Sequence, residues 1–528
     1  MTSVHKPAGL THSAFDLIGG AWVPIPGDRL VSCNPAAPDR VVYTGTPQPA
    51  HVGLAIAAAR KALPAWAGLG IEGRAAVLRR YAELTSQHAG RIADLICDEV
   101  GKAMWEARAE AAGLAAKVEI TLDQAAHGGR ARVGGFELTL SPTRSGRCQF
   151  RPHGVMAVLG PFNFPAHLPN GHIVPALMMG NTVVFKPSDR APGVGQLVAE
   201  LFDDALRDAL GPGYVPGVVN LVQGGAQIAE QLVAHEGIDA IAFTGSWAVG
   251  RRILEANLDR PGRMIALELG GSNPAIVMPD ADMRAAAIEI ARSAFSTTGQ
   301  RCTCTRRAIV HRDAADRLIP AVCKAASNLI FTDPRATHPV FAGPLNNEPA
   351  LRRLLAFQDS CARRGAAVLV PAVPIQTPTR GHYASASVVR VERFVAEPAA
   401  GPDPDPGCDE EVFGPLLRVA VVGSLDEAIE QANATRYGLA ASIFTRDGAA
   451  AARFLAEVRA GCLNVNTGTA GASSKLPFGG LGLSGNHRPA GSFASDYCAY
   501  PVASMHEHDP AAGATLPAGM RFDDSWVS

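Results

Sequence analysis

Apolar residues recur at helical spacing over the first quarter of the chain. Segments 51–68 and 72–130 are rich in Ala, Glu, Arg and Leu, with Ala75, Leu78 and Leu84 among the recurring apolar positions. Apolar side chains that return every three or four residues occupy one face of a helix. The pattern therefore predicts amphipathic helices in both segments.

Near residue 154 the pattern changes to short apolar runs separated by helical segments. Runs of this length are typical of strands buried in a parallel sheet, and their alternation with helices indicates β-α-β units. A first region has predicted strands at 155–160, 182–186, 218–222 and 240–244. A second region has them at 274–278, 308–310, 417–422 and 442–444. The sequence thus predicts two α/β domains in tandem.

Two segments show neither the helical spacing nor the short apolar runs of strands. The segment 398–407 contains Pro402, Pro404 and Pro406, and this predicts a loop. The tail after Met505 mixes Gly, Pro and Asp without a repeating apolar position. Such a tail is expected to be either disordered or docked on the surface.

Length and charge limit the classes of protein that fit the sequence. The chain has 528 residues, 47% of them hydrophobic, and a formal net charge of −1. This length predicts two or three domains, and the balanced charge gives no electrostatic reason to expect nucleic acid, a membrane surface or an acidic partner. The longest apolar stretch, 173–185, is interrupted by Pro175, Gly180 and Asn181 and is too short to span a bilayer. We therefore expect a soluble globular protein.

The ten cysteines and the first residues bear on the cellular compartment. No C-x-x-C pair occurs, and His153, His167, His172 and His487 show no consistent ligand spacing, so no metal site is expected. Segment 1–15 lacks the apolar core of a secretory signal. Free thiols in a reducing cytoplasm fit this pattern.

One cysteine and one glutamate form a candidate reactive pair. Cys302 lies in a Gly-Gln-Arg-Cys-Thr-Cys stretch that follows a predicted helix over 281–295, and Glu268 is flanked by leucines and followed by two glycines. A thiol on a polar turn can be held as a reactive thiolate, and a carboxylate in an apolar place suits proton transfer. The pair predicts a nucleophile and a base, whereas the plain alternative for any one cysteine is a small buried hydrophobe.

Three further motifs lie at the ends of predicted strands. Asn163, between two phenylalanines in a proline-bounded turn, is either a turn-stabilising amide or a donor aimed at an oxyanion. Segment 244–250 joins a strand to a helix with a G-x-x-x-x-G spacing, where a phosphate can meet free N–H groups, although an ordinary tight turn fits equally well. Lys186 ends a strand where polar groups can meet a ribose, or else it is a solvated surface lysine.

Taken together, these motifs resemble the NAD(P)-dependent aldehyde dehydrogenase superfamily over about residues 16–505. Each motif is modestly specific, and the full set in this order is very hard to reach by chance. The motifs are Phe162-Asn163-Phe164-Pro165, Lys186-Pro187-Ser188, Phe243-Thr244-Gly245-Ser246, Glu268-Leu269-Gly270-Gly271, Gly299-Gln300-Arg301-Cys302, Glu411-Val412-Phe413-Gly414-Pro415 and Pro477-Phe478-Gly479-Gly480.

The resemblance implies an α/β fold of the aldehyde dehydrogenase type. Its expected parts are a Rossmann-like NAD-binding domain, an α/β catalytic domain and a small oligomerisation β-flap. Because a two-stranded arm at 133–140 and 147–151 would be marginal alone, a homo-oligomer is expected. The expected bounds are 14–132 and 150–265 for the NAD-binding domain, 266–472 for the catalytic domain, 133–149 and 490–506 for the flap, and 507–528 for a C-terminal tail.

The resemblance also implies roles for individual residues. Cys302 would attack the aldehyde carbonyl, Asn163 and the Cys302 N–H would hold the oxyanion, and Glu268 would activate the water that hydrolyses the thioester. NAD is favoured over NADP because Asp189 is acidic where a 2′-phosphate would sit, although Lys186 tolerates either cofactor. The expected cofactor-binding positions are Lys186, Ser188, Gly245, Ser246, Val249, Gly250, Glu411 and Phe413.

Further stretches resemble the branch of the superfamily that oxidises an N-succinylated semialdehyde in arginine catabolism. They are 164–175, 301–304, 484–489 and 496–499. Segment 464–471 departs from that branch near the expected substrate entrance, so another carboxylated semialdehyde remains an alternative. The expected substrate carries carboxylates, and the candidate substrate-binding residues are His167, Arg301, Phe478 and Arg488.

Two other functions fit parts of the sequence. A CoA-acylating aldehyde dehydrogenase would pass the acyl group to CoA, but Glu268 favours transfer to water. A non-catalytic NAD-binding protein would have a damaged catalytic set, whereas Cys302, Glu268 and Asn163 are all present. The expected partners are a small-molecule aldehyde and further copies of the chain, without nucleic acid or a membrane.

Overall fold

Two seven-stranded sheets covered by helices organise the computed structural model, which describes residues 13–513 and 515–528. Most of segment 1–15, for which no secretory signal is expected, lies outside the described residues. Within the described ranges, no helix is both long and apolar enough to cross a membrane.

The first half of the chain contains a helical layer and the first sheet. Its strands are β1 (Phe15–Ile18), β2 (Ala21–Pro24), β3 (Leu30–Asn34), β4 (Ala37–Gly45), β5 (Phe136–Ser141), β6 (Arg144–Pro152), β7 (Val155–Leu159), β8 (Thr182–Lys186), β9 (Val219–Leu221), β10 (Ala240–Thr244) and β11 (Met264–Glu268). Its helices are α1 (Pro49–Gly68), α2 (Gly70–Gln87), α3 (Ala89–Val100), α4 (Met104–Leu122), α5 (Gly129–Arg132), α6 (His167–Met179), α7 (Pro192–Leu210), α8 (Ala226–Ala234) and α9 (Trp247–Glu255).

The first sheet has the strand order of a Rossmann-like fold. The order is β11-β10-β7-β8-β9-β1-β2, and β7 to β11 run parallel. With β7 as the first strand, β8 and β9 lie on one side and β10 and β11 on the other, as in the 3-2-1-4-5 order of doubly wound sheets. The strand order reverses between β7 and β10, and ligands bind such sheets outside the carboxyl ends of the strands at this point.

Continuous apolar sequence explains the central strands. Every residue of β7, β8 and β10 is buried, because helices cover both faces of the sheet. The prediction of a helix over 72–130 is correct for α2, α3 and α4 but wrong over 123–128. There the Asp123 side chain accepts a hydrogen bond from the N–H of Ala125 at 2.9 Å, which favours a turn over a further helical turn.

The second half of the chain forms the second sheet. Its order is β14-β15-β16-β13-β12-β17-β18, parallel except for β14. Its strands are β12 (Asn273–Val277), β13 (Thr305–His311), β14 (Ala367–Val370), β15 (Ser387–Arg390), β16 (Leu416–Val422), β17 (Ala440–Phe444) and β18 (Cys462–Val465). Its helices are α10 (Met283–Phe295), α11 (Arg312–Ser327), α12 (Glu348–Arg363), α13 (Leu425–Asn433) and α14 (Gly448–Glu457). This pair of α/β sheets confirms the predicted fold class.

The last part of the chain returns to the first half. It contains β19 (Pro477–Phe478), β20 (Ala490–Gly491), α15 (Ala494–Tyr497), β21 (Ala499–Glu507) and α16 (Pro510–Gly513). β21 pairs with β6, which pairs with β5, so these strands form a sheet separate from the two large ones. The segments predicted for a flap thus meet in one sheet, while the domain bounds themselves remain a prediction.

Candidate active site

The predicted nucleophile and base come from different sheets and line one cavity. Glu268 is the last residue of β11, and Cys302 lies in the loop between α10 and β13. The cavity has a volume of about 180 Å³. It is lined by Lys117, Phe164, His167, Leu168, Gly171, His172, Glu268, Arg301, Cys302, Thr303, Ala470, Ala472, Ser473, Ser474, Phe478, Ala490 and Gly491.

A strained turn presents Cys302 to this cavity. Thr297 and Thr298 have φ values of 52° and 56°, in the left-handed region that costs non-glycine residues energy. Glu106 on α4 stabilises the turn by accepting hydrogen bonds from the Thr297 N–H at 2.9 Å and the Thr297 hydroxyl at 2.8 Å. Downstream of the nucleophile, the Asn273 amide donates to the Cys302 carbonyl at 2.7 Å. These hydrogen bonds therefore fix the backbone before and after Cys302.

The cavity favours the neutral form of the predicted nucleophile, Cys302. Burial, together with the negative charges of Glu268 and Glu411, raises the pKa of the Cys302 thiol well above its ordinary value. The polar turn predicts that Cys302 is held as a thiolate. The structure differs from this prediction, because the charged groups near the thiol are acidic. Attack by Cys302 thus requires a base to take the thiol proton.

Glu268 has the environment of such a base. Its side chain is only 4% exposed, and neither carboxylate oxygen has a hydrogen-bond partner of normal geometry within the described part of the chain. Burial raises the pKa of Glu268 well above its ordinary value, and the N–H of Ala490 is a smaller influence in the opposite direction. A carboxyl group with a raised pKa can accept and return a proton near neutral pH.

Asn163 contacts the loop that carries the nucleophile. The residue is 5% exposed, and its side-chain amide donates to the Gln300 carbonyl at 2.9 Å. A primary amide has two N–H groups, so this bond leaves a second donor. The position is compatible with the predicted oxyanion role and also with a purely structural role in the turn.

The predicted cofactor residues cluster at the carboxyl ends of β8 and β10. Lys186 ends β8, and its ammonium donates to the carbonyls of Pro187 and Gly224, both at 2.6 Å. Burial lowers the pKa of Lys186 to about 8. Ser188 follows at the surface, where its hydroxyl lies 3.4 Å from a carboxylate oxygen of Asp189.

The turn after β10 is joined to the strand of the base. In the parallel register Thr244 pairs with Glu268, and the Gly245 N–H donates to the Glu268 carbonyl at 3.0 Å. Helix α9 begins directly afterwards with no side-chain cap, and Ser246 and Val249 are exposed. A Cβ on Gly250 would lie 3.0 Å from the Leu269 side chain, so glycine permits close packing of α9 against the sheet.

The third predicted cofactor segment approaches the base from the second sheet. Glu411 accepts a hydrogen bond from the Gly271 N–H at 3.1 Å, three residues after Glu268. The ring of Phe413 lies edge-on to Phe162 at 6.0 Å between centroids. Both residues are only partly buried, so they can contact a bound molecule.

Three of the four predicted substrate residues line the cavity, and the fourth does not. His167, Arg301 and Phe478 lie on its wall, whereas Arg488 is exposed to solvent and is not a lining residue. Arg301 already has a partner within the protein, because its guanidinium forms an ion pair with Glu106 at 2.7 Å. The placement of Arg488 therefore does not agree with its predicted role.

Lys117 is a cavity residue that the sequence interpretation missed. It lies on α4, is 3% exposed and donates to the Gly491 carbonyl at 2.5 Å. Burial lowers its pKa to about 8. The signal in the sequence was its position three residues after Leu114, within the apolar stripe of the predicted helix.

Potential metal ligands do not converge anywhere in the described ranges. Within residues 13–513 and 515–528, no group of three or more His, Cys, Asp or Glu side chains could hold a metal ion. Cys304 is fully buried, with its sulfur 4.0 Å from the Ser296 carbonyl. Its position is that of a packing residue.

Known proteins resemble this chain in sequence and in fold. The aldehyde dehydrogenase family model matches residues 22–501. N-succinylglutamate 5-semialdehyde dehydrogenase of Caulobacter sp. (strain K31) is 44% identical over 490 residues, which cover 92% of this chain and 95% of that protein. The protein of the same name from Paraburkholderia xenovorans (strain LB400) is 40% identical over 96% of this chain and 99% of its own length.

Solved structures show the same architecture. Gamma-glutamyl-gamma-aminobutyraldehyde dehydrogenase from Burkholderia cenocepacia J2315 is 32% identical, with a TM-score of 0.85 and coverage of 94% of this chain and 97% of that one. NADP-dependent glyceraldehyde-3-phosphate dehydrogenase from Bacillus halodurans C-125, complexed with NADP, is 29% identical, with a TM-score of 0.84 and coverage of 94% and 100%. Because these matches extend over nearly the whole chain, the protein belongs to the aldehyde dehydrogenase family.

Proposed function

We propose that this enzyme oxidises N-succinyl-L-glutamate 5-semialdehyde to N-succinyl-L-glutamate with NAD, as a step of arginine catabolism. The observation that carries the proposal is the cavity on which Cys302, Glu268 and cationic side chains lie together. A thiol, a buried carboxyl and cations suit an aldehyde that also bears carboxylates. The names of relatives 40–44% identical to this chain support the choice of substrate.

The first covalent step forms a bond between the Cys302 sulfur and the aldehyde carbon. The thiol proton leaves to a base, for which the buried Glu268 carboxylate is the candidate, and the carbonyl oxygen becomes an oxyanion. The free N–H of the Asn163 amide and the Cys302 backbone N–H are the proposed donors to that oxygen. The product of this step is a thiohemiacetal on Cys302.

Residues at the end of the first sheet fit a dinucleotide. The uncapped N-terminus of α9 can bind a pyrophosphate, and the Lys186 ammonium lies at the carboxyl end of β8, which β7 separates from β10. Glu411 binds the Gly271 N–H, and the Phe413 ring packs against Phe162. When bound, the nicotinamide supplies the hydride acceptor that the oxidation requires. The exposed carboxylate of Asp189 near Ser188 supports NAD, because it would repel a 2′-phosphate.

Hydrolysis of the thioester completes the proposed reaction. Glu268 takes a proton from a water molecule, the water oxygen bonds to the acyl carbon, and the carbon–sulfur bond breaks. The sulfur leaves as a thiolate that regains a proton, and the carboxylic acid is released. The absence of a hydrogen-bond partner on either Glu268 oxygen within the described residues supports this role, because the carboxylate is available to a water.

The test is an absorbance assay for NADH with purified enzyme and a panel of aldehydes. The panel contains succinylglutamate semialdehyde, glutamate semialdehyde, succinate semialdehyde and hexanal, each with NAD and with NADP. We expect the highest kcat/KM for succinylglutamate semialdehyde with NAD. A preference for hexanal would refute the carboxylated substrate, and a preference for NADP would refute the assigned cofactor.

We further propose that the chain forms a homo-oligomer in the cytoplasm. On the sheet of β5, β6 and β21, the side chains of Phe136, Leu138 and Leu140 are 50–60% exposed. Alternate apolar residues exposed along one strand favour burial against another copy of the chain. Light scattering during gel filtration tests this, and a monomer at micromolar concentration would contradict it.

A further inference from the structure

The cavity wall formed by α4 contains a buried lysine without a counter-charge. Lys117 is 3% exposed, and its one protein hydrogen bond within the described residues goes to the neutral carbonyl of Gly491. The buried Lys102, by contrast, forms an ion pair with Glu110 at 2.5 Å. Taking an ammonium out of water without a negative partner is costly, so such a group indicates that a partner arrives from outside.

The other charged residues on the wall do not offset Lys117. Arg301 is paired with Glu106 at 2.7 Å. Glu268 lines the same cavity, but no ion pair joins it to Lys117 among the described residues. The wall therefore has one buried cation whose charge is unmatched by any ion pair within the described part of the chain.

His167 adds a second unsatisfied group next to Lys117. Its Nδ1 is buried without a hydrogen-bond partner among the described residues. The ring packs against α4, because a Cβ on Gly113, one helical turn before Lys117, would lie 3.0 Å from Nδ1. Burial lowers the pKa of His167, and a neutral imidazole can still donate one N–H.

His172, the other histidine of the wall, is already satisfied. Its Nδ1 lies 2.6 Å from the Tyr497 hydroxyl, and its Nε2 lies 3.2 Å from the Thr244 hydroxyl. On this side of the cavity, the Lys117 ammonium thus has N–H groups beyond the one that binds Gly491, and His167 Nδ1 has no partner among the described residues. A carboxylate has two acceptor oxygens and a negative charge, which match these two donors.

We propose that Lys117 and His167 form the carboxylate-binding subsite that selects substrates for this cavity. The two side chains bind one carboxylate of the aldehyde while its carbonyl reaches Cys302. This inference rests on the proposed function and assigns the residues that recognise the acidic substrate. It moves the recognition role from the exposed Arg488 to the buried Lys117.

The test compares Lys117→Met with a matched control, Lys61→Met, which removes an exposed lysine of α1. For each protein, kcat/KM is measured with succinylglutamate semialdehyde and with hexanal. A hydrogen bond to a charged group contributes about 1.5–3 kcal/mol, so Lys117→Met should lower the ratio of the two kcat/KM values by about 10- to 100-fold. Lys61→Met should leave the ratio unchanged, and an unchanged ratio in Lys117→Met would overturn the proposal.

A second probe separates failure of this inference from failure of the proposed function. Glutarate, a dicarboxylate without an aldehyde, should compete with the aldehyde in the unaltered enzyme, and Lys117→Met should raise its inhibition constant at least about tenfold. Equal inhibition constants in both proteins would overturn the subsite even if succinylglutamate semialdehyde is the substrate. A weaker inhibition in Lys117→Met would support the subsite even if the natural substrate is another acidic aldehyde.

Two further variants guard against a folding defect. Lys117→Arg keeps the positive charge and should retain more of the preference for the acidic aldehyde than Lys117→Met. His167→Phe keeps a ring in place and should weaken glutarate binding without affecting the oxidation of hexanal to the same degree. If Lys117→Arg and Lys117→Met lose the preference equally, charge recognition by this residue is refuted.

Discussion

Two groups of buried charge lie along α4, and they differ in whether the charges are matched. Toward the start of the helix, Lys102 pairs with Glu110 at 2.5 Å and Glu106 pairs with Arg301 at 2.7 Å. Toward its end, Lys117 has no carboxylate partner within the described residues. Matched charges hold the backbone in place, whereas unmatched charges remain available to a ligand or a proton.

The matched group acts on the two segments that build the cavity. Glu106 binds the strained Thr297, and Glu110 accepts hydrogen bonds from the N–H groups of Ala166 and His167 at 3.0 and 3.1 Å. These bonds fix the start of α6 and the turn before Cys302. The unmatched group, which includes Glu268 at the end of β11 as well as Lys117 on α4, faces the space between those segments. One helix thus supports the site at one end and lines it at the other.

The strongest test of the unmatched group is Glu268→Gln. Because the amide cannot take a proton from water, steady-state turnover should fall by about 10²- to 10⁴-fold. Rapid mixing should still give up to one equivalent of NADH before the reaction stalls at the thioester, but more slowly than in the unaltered enzyme, because Glu268 is also the proposed base for the Cys302 thiol. Cys302→Ala is the control, since it should form no NADH while still binding NAD. Full turnover of Glu268→Gln, or its acceleration by CoA, would contradict hydrolysis through Glu268.

A stability comparison tests the matched group directly. Lys102→Met leaves Glu110 buried without its partner, and breaking a buried ion pair should lower the free energy of unfolding by about 3–5 kcal/mol. Lys117→Met removes an unmatched ammonium and should lower it by no more than about 1 kcal/mol, for the lost hydrogen bond. Urea titration followed by fluorescence measures both values. Equal losses in the two variants would show that the distinction between the groups is wrong.

A pH profile sharpens the comparison further. The pKa of Lys117 is lowered to about 8 by burial, so its ammonium is present below pH 8 and is lost as the pH rises through that value. The ratio of kcat/KM for the acidic aldehyde to that for hexanal should therefore fall above pH 8. Titration of Cys302 and Glu268 affects the oxidation of both aldehydes and therefore cancels in the ratio. Burial lowers the pKa values of His167 and His172, so both imidazoles are neutral at pH 8 and above. The Lys117→Met ratio should not change with pH, and a parallel fall in that variant would exclude Lys117 as the source.

The smallest effect is expected at Cys304, which is a buried packing residue without a proposed catalytic role. Cys304→Ala removes one buried sulfur and should cost about 1 kcal/mol of stability, with kcat/KM for the aldehyde unchanged. Thermal unfolding and the NADH assay check the two statements. A loss of turnover as large as that of Cys302→Ala would give Cys304 a reactive role that its packing does not indicate.

The sequence could predict the parts of the site whose signals are local. Cys302 and Glu268 lie in short motifs, and the buried strands correspond to continuous apolar runs in the sequence. Arg488 followed the same logic, and the structure places it outside the cavity lining, because a local motif does not show where its side chain lies in the fold. Lys117 lies in a predicted helix rich in Ala, Glu and Arg. In such a helix, the sequence predicts that one further charged residue is exposed to solvent. Only packing against Gly491 and the cavity distinguishes it.

The sequence by itself determined the fold class and the family and predicted Cys302 and Glu268 as nucleophile and base, because periodicity and short motifs depend on neighbouring residues. The tertiary structure decided which charges are matched, because an ion pair such as Arg301 with Glu106 joins residues far apart in the chain. It also decided that the cavity holds Cys302 as a thiol beside two acidic groups, since burial and distant charges set its pKa. Local sequence predicts which residues react, and long-range packing sets their charge states.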